Sequence, residues 1–128
     1  MKRLSLLLLL VAIAGACAPA APREVTIEIH YSHYSMSQID VPAGVPITFT
    51  IKNDDPIDHE WMIGDMAMHE RHRLGTEAVH ASRPDEVTIP ALSTRTTTLT
   101  FPVPMTLEYM CHLPGHEVYG MVGVLVAK

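Results

Sequence analysis

Apolar and polar residues alternate with a period of two along much of the chain. Over residues 24–31, Val25, Ile27, Ile29 and Tyr31 share one side, while Thr26, Glu28 and His30 share the other. That is the pattern of a half-buried strand. It recurs at 46–52, where Ile47, Phe49 and Ile51 lie on one face. It recurs again at 94–101, where threonines at 94, 96, 98 and 100 face away from Leu99 and Phe101. Shorter extended pieces are predicted at 39–41, 60–63, 86–89, 106–111 and 121–126. The turns Pro42-Ala43-Gly44 and Asn53-Asp54-Asp55-Pro56 separate some of them. About seven short strands with Pro- and Gly-containing turns predict an all-β, antiparallel sandwich or barrel.

Residues 64–84 interrupt this rhythm. Asp65 can cap a helix, residues 67–74 are good helix formers, and Gly75 can end it. The expectation is one short helix inside an insertion, followed by a loop to Pro84.

The N-terminus belongs to a different class. Lys2 and Arg3 precede an apolar run, Leu4 to Ile13, broken only by Ser5, and then the small residues Ala14-Gly15-Ala16-Cys17-Ala18. Basic, apolar, then small is the order of a signal peptide, and the run is short of the ~20 residues a membrane span needs. Residues 1–16 are therefore read as a signal peptide, 17–23 as a linker and 24–128 as one domain. Ala14-Gly15-Ala16-Cys17 resembles a lipobox, with Ala14 where Leu is usual, so Cys17 is a candidate lipid anchor. Cleavage after Ala18 or Ala20 is the soluble alternative. Either way the domain is expected in the periplasm or attached to the outer side of a membrane.

Charge narrows the partners. The chain has nine Lys and Arg against fourteen Asp and Glu. Removing Lys2 and Arg3 leaves seven against fourteen, a formal charge of −7 with His neutral. An acidic domain is a poor binder of nucleic acid, but it suits a positively charged redox partner.

The chemistry concentrates in Tyr109-Met110-Cys111-His112-Leu113-Pro114-Gly115-His116-Glu117-Val118-Tyr119-Gly120-Met121. Apart from Cys17, Cys111 is the chain's only cysteine, and a free thiol is an oxidation liability in an oxidising compartment. Pro114-Gly115 turns the chain back, so one loop can bring the Cys111 thiolate, the His116 imidazole and the Met121 thioether together. Two His and one Cys with a weak axial Met form the blue-copper donor set. A second imidazole has to come from elsewhere, and His59, between the turn at 53–56 and Trp61-Met62-Ile63, is the best placed. Structural zinc usually takes no Met, and a binuclear copper loop needs a second Cys, which 112–116 lacks.

With these residues in view, 24–128 resembles the cupredoxins, especially small exported bacterial proteins of the plastocyanin and azurin type. The matching pieces are the early strand, DVPAGVPITFTIKNDD at 40–55, DHEWMIG at 58–64 and YMCHLPGHEVYGMVGVLVAK at 109–128. The resemblance implies a Greek-key β-sandwich with one Cu(I)/Cu(II) ion near one end. It implies His59, Cys111 and His116 as equatorial ligands and Met121 as the axial one. Two departures stand out. Glu60 occupies the position after the first His, where many cupredoxins have an Asn that ties the ligand loops. The 64–84 segment is also longer than the fold needs.

That insertion carries Met66, Met68, His69, His72 and His80. The first expectation is a solvated helix whose Met residues pack on the sandwich. Met66, Met68, His69 and His72 are kept as a candidate second metal site, because helical spacing puts several on one face. His69-Glu70-Arg71-His72 is not a zinc-protease motif, whose two His stand at i,i+4. His30, His33 and His112 are not taken as ligands. No catalytic triad or paired acid–base motif is present, so the chain is read as a non-enzyme that transfers single electrons with a cytochrome or oxidase. A copper-binding carrier or tolerance protein, working with other copper-handling proteins, is the alternative.

Overall fold

A computed structural model describes residues 23–76 and 83–128. The segment read as a signal peptide, the expected linker up to Pro22, Cys17 and His80 lie outside the described residues. Among those described, nine strands and one helix follow in chain order: β1 Arg23–His30, β2 His33–Tyr34, β3 Gln38–Val41, β4 Pro46–Asn53, β5 His59–Gly64, α1 Met66–Arg73, β6 Glu86–Ile89, β7 Thr94–Thr100, β8 Met105–Met110 and β9 Val122–Ala127.

The strands form two sheets, β2-β1-β4-β7 and β3-β9-β8-β5-β6. The chain changes sheet between β2 and β3, β3 and β4, β4 and β5, β6 and β7, and β7 and β8, so most sheet neighbours are distant in sequence. The fold is a β-sandwich, as the sequence implies. It is not purely antiparallel, however: β1 pairs parallel with β4, and β3 parallel with β9. Period-two alternation reports which face is buried and carries no strand direction, which is why pattern alone missed these pairs.

The core between the sheets follows the alternation. Ile27, Ile29, Ile47, Phe49, Ile51, Trp61, Ile89 and Tyr109 are fully buried there. Phe49 and Trp61 pack with ring centroids 4.9 Å apart. Tyr31, expected inside, is instead 79% exposed. It forms a two-residue turn with Ser32 between β1 and β2, with φ of 51° and 54°. The strand had to end at His30 for β2, which the sequence did not reveal, to fold back.

Every residue of β5 is buried. Its sheet face toward the core carries His59, Trp61 and Ile63, while Glu60, Met62 and Gly64 point to the opposite face. That outer face is covered by α1. Asp65 caps the helix, its side chain accepting from Met68 N–H at 2.7 Å. Met68 lies against Gly64, where any Cβ would overlap it. Of the two helical methionines only Met68 packs on the sandwich as expected; Met66 is exposed, and His69 is the fully buried helical residue.

Candidate metal centre

Three side chains from two segments converge at one end of the sandwich. His59 opens β5, Cys111 directly follows β8, and His116 lies in the loop between β8 and β9. One ligand atom from each falls within 4.8 Å of the others. His59 Nδ1 and His116 Nδ1 are 3.2 Å apart, and Cys111 Sγ is 3.2 Å from His116 Nδ1. His59 and Cys111 are fully buried and His116 is half-buried.

Local structure explains each position. Asn53, buried at the end of β4, donates from its amide to the carbonyls of Ile57, Ile89 and Pro90 and accepts from Asp55 N–H. That side chain holds the 54–58 loop that delivers His59. Asp55 Oδ2 then accepts from His59 Nε2 at 2.9 Å. The bond selects the tautomer with Nδ1 free to ligate, the usual service of a carboxylate behind a metal-binding imidazole. Asp55 also accepts from the N–H groups of Tyr31 and Ser32, both at 2.7 Å. Burial works to raise its carboxyl, but these backbone bonds and His59 together hold it below the usual range.

On the other side, the 111–121 loop closes on itself. Cys111 N–H donates to Met121 O at 3.1 Å and Met121 N–H to His116 O at 3.0 Å. Gly115 has φ of 88°, a left-handed conformation that the turn requires, and a Cβ there would press on Tyr119. Met121 is fully buried in the core cluster that also contains Cys111. The Cys111 sulfur accepts from Glu60 N–H at 3.4 Å. Burial pushes the thiol up, opposed by the N–H groups of Glu60 and Leu113. Burial, and then the neighbouring His59 ring, lower His116 and keep it neutral. Two imidazoles and a thiol that ionises only with help form a donor set that a soft or borderline cation would satisfy.

Glu60 takes over the tying role that its departure from the family pattern put in question. Its backbone reaches the Cys111 sulfur, and its carboxylate accepts from His112 N–H at 3.2 Å, linking the two ligand-bearing segments. Tyr34 adds a hydroxyl bond to Glu60 O at 2.5 Å.

The remaining histidines go elsewhere. His30 and His33 are exposed. His112 lies on the outer face, its ring 5.1 Å from that of His69 and 4.9 Å from that of His72. Burial, then repulsion from His69 and His72, lowers its pKa to about 4. His69 Nδ1 is 2.8 Å from His112 Nε2, and its Nε2 3.1 Å from Glu108 O. His72 faces Glu60 and Glu86. Of the insertion residues singled out together, Met66 points to solvent, Met68 packs on Gly64, and only His69 and His72 meet at a shared partner.

A family model described as "Cupredoxin-like domain" matches residues 3–94. The chain is a cupredoxin. The match ends before Cys111, so it rests on the strand framework and the His59 region. Two curated relatives are similar over most of their length. The copper-resistant cuproprotein CopI of Pseudomonas aeruginosa is 26% identical over 145 positions, covering 88% of this chain and 80% of the relative. That of Rubrivivax gelatinosus is 27% identical over 121 positions, covering 89% and 73%. Among solved structures, auracyanin from Roseiflexus castenholzii superposes with a TM-score of 0.69 at 23% identity, covering 85% of this cupredoxin and 99% of that chain. Auracyanin A of Chloroflexus aurantiacus, titled a "blue" copper protein, gives 0.66 at 23% identity, with 84% and 100% covered. At such identity these two establish the fold.

Proposed function

We propose that His59, Cys111, His116 and Met121 hold one copper ion and that the protein passes single electrons through it outside the cytoplasm. The convergence of His59 Nδ1, Cys111 Sγ and His116 Nδ1 within 4.8 Å carries this reading. Copper, when bound, supplies the one-electron couple. The chain's own residues supply rigidity. Asp55 orients His59, Glu60 N–H steadies the sulfur, and the loop bonds through Met121 hold Cys111 and His116 in register. Donors held this firmly move little when the charge of the centre changes, which favours fast transfer. His116 is the most accessible of the three, and its loop also carries the exposed Val118 and Tyr119. Its imidazole is the natural exit for an electron toward a docked cytochrome or oxidase. The leader at 1–16 supports export, with Cys17 as lipid anchor.

The names of the two CopI relatives favour a second reading, copper handling in a tolerance pathway. Visible and EPR spectra of the metal-free mature domain after copper(II) addition test the site itself. A strong sulfur-to-copper band, absent in Cys111→Ser, is expected; weak d–d absorption alone refutes thiolate ligation. Rapid electron exchange with a cytochrome at one copper per chain supports transfer. Loss of cellular copper resistance on replacing Met68, His69 and His72 with Ala supports handling.

A further inference from the structure

Strand parity places a second group of ligating side chains back to back with the first. His59 and Cys111 face the core side of their sheet. Glu60 and His112, one residue on, face the outer side under α1. Glu86 joins them there from β6, where it is the register partner of Met62 on β5. His72 comes down from the helix. Glu60, His72 and Glu86 each present one ligand atom, all within 4.8 Å of one another. His72 Nε2 is 3.3 Å from Glu60 Oε2, and His72 Nδ1 is 3.9 Å from Glu86 Oε1. The side chains of Glu60, His72 and Glu86 are 7%, 7% and 0% exposed respectively.

We infer that Glu60, His72 and Glu86 form a second cation site, selective for a borderline divalent ion of the zinc class. Two carboxylates and one imidazole are the donor chemistry of such ions, and the absence of sulfur among them disfavours copper(I). A divalent ion balances the two carboxylates while His72 remains neutral, the state in which an imidazole ligates. The three donors come from β5, α1 and β6, so the ion would also pin the insertion to the sheet. A competing arrangement is the same three side chains bonded to one another and to protein neighbours with no metal.

The site is separable from the copper centre. In a Cys111→Ala/His116→Ala double variant, which keeps the outer face intact, equilibrium dialysis against zinc(II) is expected to give one ion per chain. Adding Glu86→Gln should weaken that binding at least tenfold. In the wild-type protein, cobalt(II) should give a sulfur-to-cobalt band lost in Cys111→Ala and a separate sulfur-free d–d spectrum lost in Glu86→Gln. The wild-type measurement stands if the double variant fails to fold. Zinc or cobalt binding that is unchanged by both Glu86→Gln and His72→Gln overturns the inference. So does a folded double variant that takes up no zinc. Failure of the copper reading would remove the thiolate band and leave the Glu86-dependent binding untouched.

Discussion

Replacing Asp55 by Asn tests how the fold holds His59. Asp55 is 5% exposed and accepts three bonds, from Tyr31 N–H, Ser32 N–H and His59 Nε2. Hydrogen bonds to a charged acceptor contribute roughly 1.5–3 kcal/mol each. Asparagine keeps one acceptor oxygen and turns an amide donor toward groups that are themselves donors. Ser32 N–H and His59 Nε2 share Oδ2, while Tyr31 N–H takes Oδ1. An amide that keeps its oxygen at the Oδ2 position loses the Tyr31 bond outright and weakens the other two from charged to neutral, so the metal-free protein should lose about 3 kcal/mol, a large share of the roughly 5–15 kcal/mol typical of a domain. Two effects combine: the Tyr31-Ser32 turn, held at positive φ, loses half of its clamp, and His59 is left with a neutral acceptor in place of the carboxylate that fixes its tautomer. Metal affinity should fall about 10–100-fold, as when such partners are removed elsewhere. The folded carboxyl lies below its ordinary value. Its stabilisation is therefore complete above that ordinary value and disappears as pH falls through the lower folded one, and Asp55→Asn should lack this acid limb. Urea unfolding at several pH values and a competition titration with copper read both effects. A variant within about 0.5 kcal/mol of wild type and with unchanged copper affinity would refute the argument.

Ser32→Gly should act in the opposite direction. Ser32 sits at φ of 54°, a conformation costing an L-residue roughly 1 kcal/mol, and two-residue hairpin turns favour Gly there. A rise of about 0.5–1 kcal/mol in urea unfolding is expected, and no gain would mean the turn is unstrained. Gly123→Ala would drive a methyl into the ring of Tyr109, which is fully buried and donates its hydroxyl to Met36 O. Overpacking of this kind costs about 1–3 kcal/mol, checked by thermal melting; a neutral result would show that the ring can move aside. Burial pushes Tyr109 up to about 12 from an ordinary value of 10.0. A raised folded pKa means its stabilisation is complete below pH 10 and is lost as pH rises through about 12. Burial raises Tyr34 as well, so alkaline titration followed by tyrosinate absorbance should show two late-titrating tyrosines among the described residues, one of which disappears in Tyr109→Phe.

Much of the architecture was readable from the chain alone. Alternation at 24–30, 46–52 and 94–101 reports faces directly, because side chains on a strand point to opposite sides at every step. Asp65 and Gly75 marked the helix ends because capping is local chemistry. Cys111, His116 and Met121 were linked by one short loop, and Pro114-Gly115 announced the reversal that closes it. The role of Asp55 was not legible: in sequence it belonged to a turn, and its three bonds to Tyr31, Ser32 and His59 exist only once β1 and β4 lie side by side in parallel. The parallel pairings were hidden for the same reason, since strand direction leaves no mark on periodicity. The insertion shows the limit most clearly. Helical spacing grouped Met68, His69 and His72 on one face, yet the sheet beneath decided their neighbours. His69 and His72 meet His112, and His72 faces Glu60 and Glu86, residues 12 and 14 positions away along the chain and on two different strands. Sequence by itself determined what each segment could become and which donors one loop could unite. Which donors from separate segments share a site was decided by tertiary packing, because long-range contact depends on how sheets and helix stack, and no local periodicity encodes that.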